Sequence, residues 1–571
     1  MYFYCTVYKI CQTYRNATVM KTLKRAKSTV TNVIKSKSAD IIVPNQLIHE
    51  YVWEHLDNWY DKTAVMCFDT GKRYTFQQIY HKSWSLAAVL RQKFQLQVGD
   101  TVAVILPNVP DFPVAFLGAI QAGLVVTTVN PFYTPDEMAV QLGDSGSQLI
   151  FTSRELLPFV NKATNKLRKR VPTVLAETKP ADSLPADCVR LDELCDTSNS
   201  NNKDKLDDLL MSPDDVALLP YSSGTTGLSK GVQLTHRNVV SNLYQMSSPD
   251  FVVNRKTEGG FQDVIPVFLP LFHIYGMVGI FLNFFAQGCN LIMVSNFVGS
   301  QFVKLLQSYH PTLLFAVPPI IVVILNNPRI RSDDLKSIRT IISAAAPLGA
   351  SAVEEFNNKC QEKIDLLQMY GMTETSPLTL MQTPRLNNGT KIGGSGFLIP
   401  NTEAKIISID GDSTGLEAYR SGELVVRGPQ VMKGYHNNAK ATREAMLGDW
   451  LRTGDVCYYD KHQHFFITDR LKELIKVKGF QVAPAELEEI LKSHAAIQDA
   501  AVVGIPHPVH GEVPKAFVVL RGDNNVRPDQ VKQFVASKVA NYKRLVGGVV
   551  VVGSIPRNSA GKILRNELKH L

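Results

Sequence analysis

Short β-branched runs alternate with helix-length apolar segments through the first part of the chain, and this alternation restricts the fold more than any other feature. Thr101-Val-Ala-Val-Ile-Leu106 is closed by Pro107-Asn108, Pro113 to Ala122 reads as a helix stopped by Gly123, and Leu124 to Val129 reads as the next strand. Similar strand signals recur at Gln148–Thr152, Pro311–Val317, Thr340–Ser343 and Lys363–Gln368. Strands separated by helices cannot pair as hairpins, so the pattern predicts an α/β fold of parallel layers. Asp196 to Asp208 interrupts it as a polar surface excursion, and no repeat of solenoid length is present.

Past about residue 400 the texture changes to short strands and turns, such as Gly422-Glu-Leu-Val-Val-Arg427. A compact tail follows, with strands at Phe465–Thr468 and Leu474–Val477 and a helix opening at Pro484. Pro484 suits a first helical turn, Glu486, Glu488 and Glu489 lie toward the positive end of the dipole, and Lys492 lies toward the negative end. Leu487, Ile490 and Leu491 share one face. The expected organisation is a basic extension over 1–39, a large domain over 40–468, and a small α+β domain over 469–571 joined at Asp469-Arg470.

With 571 residues, 45% hydrophobic and 20% charged, the chain has the composition of a globular protein with several structural units, which excludes disorder, collagen and coiled coil as whole-chain descriptions. Net charge is +9, and the most uneven part is residues 1–39, with eight Lys/Arg and no acid. That distribution suits an address or a membrane-facing arm better than a nucleic-acid platform. The eight cysteines, at 5, 11, 67, 188, 195, 289, 360 and 457, form no C-x-x-C pair, so neither a disulfide framework nor structural zinc is expected. His462/His464 and His507/His510 read as loop histidines without ligand partners. Val264 to Val303 lacks any charged residue, but Pro266, Pro270, His273, Asn283 and Gln287 break it into a buried strand, a loop and a buried helix rather than a membrane span.

The chemistry concentrates in Tyr221-Ser-Ser-Gly-Thr-Thr-Gly-Leu-Ser-Lys-Gly-Val232. Its glycines let backbone approach an anion, while hydroxyls and Lys230 supply donors and charge. It is not the G-x-x-x-x-G-K-[ST] phosphate loop, because Lys230 stands three residues after Gly227 and precedes Gly231.

This run resembles the phosphate loop of the adenylate-forming enzymes: acyl-CoA synthetases, 4-coumarate–CoA ligases and firefly luciferase. The resemblance extends over most of the chain in the family's order. It includes Leu269-Pro-Leu-Phe-His-Ile-Tyr-Gly276, Ser343-Ala-Ala-Ala-Pro-Leu348, Gln368-Met-Tyr-Gly-Met-Thr-Glu-Thr375 and Thr453-Gly-Asp455. It continues through the hinge-like segment Asp469 to Glu488 and ends at Asn558-Ser-Ala-Gly-Lys562. The resemblance implies a large α/β domain with a small β-barrel-like part and a mobile C-terminal domain.

What it implies chemically is activation of a carboxylic acid by ATP to an acyl-AMP, with CoA then displacing AMP. Lys562, Lys476, His273 and Glu374 are the implied catalytic residues. Ser222, Ser223, Gly224, Thr225, Thr226 and Lys230 would hold the phosphates. Ala346, Gln368, Tyr370, Gly371 and Thr373 would lie along the nucleotide, with Asp455 and Arg470 on the ribose. Lys472, Lys478 and Gly479 would serve the CoA side. Tyr275, Gly276, Ala344 and Ala345 would line the acyl pocket, and Glu374 with Thr225 would hold Mg²⁺, a cation usually bound by one or two carboxylates plus phosphate oxygens. The small uncharged lining leads to a medium-to-long-chain fatty acid as first expectation and a 4-coumarate-type acid as second. A Lys that helps hold CoA in 4-coumarate–CoA ligases is matched by Asn296.

A luciferase-like oxygenase and a carrier-loading domain are rival readings; the chain ends nine residues after Lys562, leaving no room for a fused carrier. The expected partners are the acid, ATP and CoA, with no nucleic acid, no transmembrane span, and room for peripheral membrane contact. Lys569-His570-Leu571 resembles the peroxisomal Ser-Lys-Leu address. The basic, acid-free N-terminus, with nine Ser/Thr in residues 1–39, argues instead for a mitochondrion. A start at Met20 would leave the first 19 residues irrelevant; the peroxisome is the first expectation, with mitochondrion or cytoplasm as alternatives.

Overall fold

The computed structural model describes residues 32–167, 170–176, 183–185, 187–195, 206, 210–222, 229–360, 364–386, 390–409, 414–477, 480–522, 524, 526–558 and 561–571. Parallel strands Val125–Thr128, Thr101–Ile105, Leu149–Ser153, Thr173–Ala176 and Cys188–Arg190 form one sheet, with Val102 opposite both Val126 and Leu149. Antiparallel strand Lys230–Thr235 extends it through Val216–Leu218. Every residue of the helix Asp111–Gln121 is buried, which its apolar surface on all sides anticipates. It packs on the helix Phe76–Gln92 so closely that a Cβ on Gly118 would stand 2.7 Å from Leu86. The next helix, Pro135–Ser145, opens with a Thr134/Glu137 capping box and ends at Gly146 in the left-handed region, φ +64°.

A second set of parallel strands, Leu313–Ala316, Thr340–Ser343 and Asp365–Gly371, runs in register and turns back through antiparallel Leu378–Met381. The uncharged stretch from Val264 folds as a strand, a loop and a buried helix; no helix among the described residues is long and apolar enough to cross a membrane. Its helix is unusual in being π-helical over Tyr275–Leu282 before one α-turn.

Antiparallel strands Glu403–Ile407, Gly422–Arg427, Trp450–Tyr459 and Phe465–Arg470 form the third layer. Two local features matter here. Thr453-Gly-Asp455 is a bulge inside the long strand Trp450–Tyr459, where pairing jumps from Val425↔Arg452 to Glu423↔Val456 and Gly454 takes φ +69°. Asp469 and Arg470 are the last residues of Phe465–Arg470, still paired with Val456 and Asp455, so the strand runs two residues beyond the expected Thr468.

The remaining chain builds its own sheet from Ile475–Val477, Phe480–Val482, Ile497–His507, Gly511–Leu520 and Val549–Val551. Helices Pro484–Lys492 and Pro528–Ala536 close an apolar core containing Leu487, Leu491, Val531 and Val535. The Pro484 helix begins where its signals place it. Of the four histidines expected in loops, His464 is fully buried against Phe397, whereas His507 and His510 stack at a hairpin tip.

Candidate active site

Strand ends and the Gly454 bulge bring the polar residues together. Ser222 ends strand Tyr221–Ser222, and its hydroxyl donates to Glu374 Oε1 at 3.1 Å. Tyr435 donates to the same oxygen at 2.8 Å, and Lys230 Nζ lies 5.1 Å from the Tyr435 ring centre. Glu374 is buried, yet among the described residues its Oε2 receives no hydrogen bond. A buried carboxylate with one oxygen unused, at the mouth of a hydroxyl-rich loop, fits a divalent cation shared with phosphate oxygens. Ser223, Gly224, Thr225 and Thr226 lie outside the described residues.

Asp455 is buried at the bulge and accepts from the Tyr370 hydroxyl at 2.6 Å, while Arg470 Nε approaches its other oxygen at 3.3 Å. Burial pushes the Asp455 carboxyl upward and the Arg470 guanidinium opposes it. Burial and the neighbouring Asp455 raise the Tyr370 phenol, which therefore stays a neutral donor. Lys562 completes this cluster from the small domain. Its Nζ stands 3.8 Å from Glu473 Oε1, and its ammonium feels Asp455 and Arg470. The loop is docked against the large domain: a Cβ on Gly561 would stand 3.3 Å from Val317 and 3.6 Å from Pro319.

The acyl side is drier. His273 has its proton affinity pushed down to about 4 by burial, so it is neutral near pH 7, and its Nδ1 accepts from the Tyr275 N–H at 3.3 Å. Tyr275 is buried and its hydroxyl donates to Ile342 O at 3.3 Å. Gly276 is required because a Cβ would collide with Pro270 O at 2.1 Å, and the π-helix begins at this crowded point. Ala344 is buried, Ala346 is half-buried, and Ala345 is exposed with φ +69°.

The structure gives several of the expected site residues surroundings that the motifs do not show. Gln368 is buried and its Oε1 accepts from Leu348 N–H at 2.8 Å, so it braces the Ala344–Leu348 loop. Gly371 serves close backbone packing, since a Cβ there would stand 2.0 Å from Pro377 O. Ala345 is exposed between the buried Ala344 and the half-buried Ala346. Thr373 is buried in the short turn that also carries Glu374. Lys472, Lys476 and Asn296 are exposed and do not join the cluster; Lys478 and Gly479 lie outside the described residues. Tyr435, Glu473 and Arg565 were missed by motif reading. Tyr435 reaches Glu374 from a strand 61 positions away, and no local pattern announces it.

Clustered hydroxyls, a buried carboxylate at Glu374, a second one at Asp455 and a lysine brought in from the small domain make a site suited to attaching a nucleotide to a carboxylate. The comparisons sharpen this. The AMP-binding enzyme model matches residues 52–436, and the AMP-binding enzyme C-terminal domain model matches 486–562. A 4-coumarate–CoA ligase 1 of Arabidopsis thaliana is 39% identical over 542 residues, covering 94% of this chain and 95% of the relative. The ATP-bound MatB of Rhodopseudomonas palustris superposes with a TM-score of 0.78 at 25% identity, covering 92% of this chain and 99% of MatB; the apo form of MatB gives 0.70 over the same shares. The chain belongs to the AMP-binding enzyme family of adenylate-forming acid–CoA ligases. It is an ATP-dependent, AMP-forming acid–thiol ligase that works through an acyl-adenylate.

Proposed function

We propose that the acid is a 4-coumarate-type arylalkenoate. The carrying observation is the 39% identity over nearly the full length to a relative named 4-coumarate–CoA ligase. It favours the second of the two sequence expectations over the fatty acid placed first. The buried Tyr275, the half-buried and neutral His273, and the small buried Gly276 and Ala344 give a lining with little charge, which suits a flat aryl group. Pyrophosphate release over a series of aryl and fatty acids, with and without CoA, tests this; a preference for long-chain fatty acids would overturn it.

In this reading the substrate carboxylate attacks the α-phosphorus of ATP, and the bond to pyrophosphate breaks. Charge accumulates at that point, so preorganised cations and donors carry most of the acceleration. Lys562 bridges the carboxylate and the α-phosphate, Ser222 and Lys230 meet the departing phosphates, and Asp455 with Arg470 fixes the ribose. Tyr370 must release its 2.6 Å bond to Asp455 as the ribose hydroxyls arrive. Glu374 would hold Mg²⁺, which supplies charge neutralisation on the phosphates. In the second half, the CoA sulfur attacks the acyl carbon, the bond to AMP breaks, and the thiol proton passes to solvent.

Lys476 serves that second half after the small domain swings about the residues following Arg470. Asn296 replaces one lysine contact to CoA with a neutral one. Lys569, His570 and Leu571 are exposed, which supports their reading as a peroxisomal address. Deleting Leu571 from a tagged chain should disperse it, and unchanged localisation would defeat that reading.

A further inference from the structure

Lys562 is held by a chain of charges that begins outside the motif. Glu473 lies three residues beyond Arg470 in the connecting turn, and its two oxygens are divided. Oε1 faces Lys562 Nζ at 3.8 Å, and Oε2 accepts from Arg565 Nε at 2.7 Å. Arg565 is anchored by Glu488, to which Nη1 donates, and by Val502 O at 2.9 Å. Glu488 is itself buried and accepts from Val502 N–H at 2.8 Å. A separate tether fixes the loop backbone: Arg557 donates to Gly561 O at 3.0 Å while pairing with Asp499 at 2.9 Å.

Of these two tethers, the Glu473 arm is the one that reaches the ammonium. Arg565 needs one carboxylate oxygen and leaves the other aimed at Lys562, so a rigid cation fixes the direction in which a flexible one is pulled. Removing that carboxylate would leave Lys562 between Arg470 and Arg565, two like charges that both oppose its protonation.

We propose that Glu473, clamped by Arg565, is a positioning residue for adenylation: it holds the Lys562 ammonium charged and directed at the site until the substrate anions take it over. This rests on Lys562 acting in adenylation, as described above. The contact lies within the small domain, so it travels with Lys562 and has no part in the thioester step.

The test uses the full-length enzyme and the variant Glu473→Gln, which keeps an acceptor for Arg565 and removes the charge. ATP–pyrophosphate exchange with 4-coumarate should lose about tenfold in kcat with little change in the KM for ATP. The alkaline limb of its pH profile should move down, because Lys562 then faces Arg470, Arg565 and Asp455 without the charged Glu473. Attack of CoA on supplied coumaroyl-AMP should be retained. Glu473→Asp should recover part of the rate and the wild-type pH limb. Loss of both half-reactions in Glu473→Gln would overturn the proposal in favour of a structural role, as would an unchanged rate and limb. Lys562→Ala run alongside separates the two levels: if it keeps adenylation, the assignment of Lys562 falls; if only Glu473→Gln is silent, the positioning role alone falls.

Discussion

The two lysines of the small domain occupy opposite situations. Lys562 sits on a loop docked against Val317 and Pro319, with its ammonium among Glu473, Asp455 and Arg470. Lys476 sits in a three-residue strand, exposed, with its backbone N–H on Glu512 and no partner from the large domain among the described residues. One compact domain cannot offer both faces to a single cleft at once. The difference teaches what to test: if both lysines serve the reaction, the small domain is expected to rotate between the two steps, with a short connector absorbing the backbone change. The conformation here is the one with Lys562 inward, toward Asp455 and Arg470.

The largest expected effect breaks the comparison directly. Lys562→Ala should slow acyl-AMP formation by roughly 10²–10³, the usual loss for removing one preorganised charge partner, while sparing CoA attack on supplied acyl-AMP. Lys476→Ala should do the reverse. Half-reactions with isolated acyl-AMP decide it, and loss of the same half-reaction in both variants would remove the case for two orientations.

A second effect sharpens where the connector begins. Asp469 is buried, accepts from Arg470 N–H at 2.7 Å and Ala485 N–H at 3.0 Å, and is pushed up to about 7 by burial. Glu488 adds to that shift, whereas the two N–H groups and Arg565 oppose it. Because the folded value exceeds the unfolded one, the folded state binds the extra proton between about pH 4 and pH 7. Stability should fall as pH rises through that window, by about 1.4 kcal/mol per pH unit, and level off above it. Asp469→Asn should flatten that slope in denaturant titrations at pH 5, 6 and 7. A parallel slope in the variant would show that another group titrates.

The smallest effect concerns the interface that holds Lys562 inward. Glu489 Oε1 accepts from Ala350 N–H at 3.1 Å, capping the helix Ala350–Lys359 from across the domain boundary, and Arg521 pairs with Glu355 at 3.8 Å on the same helix. Both contacts are exposed, so each contributes little. Glu489→Ala should slow adenylation by about two- to fivefold and leave the thioester step unchanged or faster. A slower thioester step would mean the contact does not favour the inward orientation.

Strands and helices of both domains were legible because apolar runs and stops are local: Thr340–Ser343 in the large domain and the Pro484 helix in the small one stand where their residues place them. The boundary at Asp469 was less legible. Nothing in Thr468-Asp469-Arg470 shows that Val456 and Asp455 will extend the strand, since pairing partners lie in another part of the chain. The same holds for Gln368, whose motif resembles a nucleotide contact but whose side chain is already satisfied by Leu348.

Residue order alone determined the kind of chemistry: a hydroxyl- and glycine-rich loop with Lys230, an acid at Glu374, and a lysine near the end at Lys562, in sequence with helix and strand signals that local sterics enforce. Tertiary structure alone decided which charges meet. Tyr435 on Glu374, Tyr370 on Asp455, and Glu473 between Arg565 and Lys562 are contacts between residues 61 to 92 positions apart. Coulomb and hydrogen-bond energies depend on distances of a few ångströms, and only the packed sheets, the Gly454 bulge and the docked small domain set those distances.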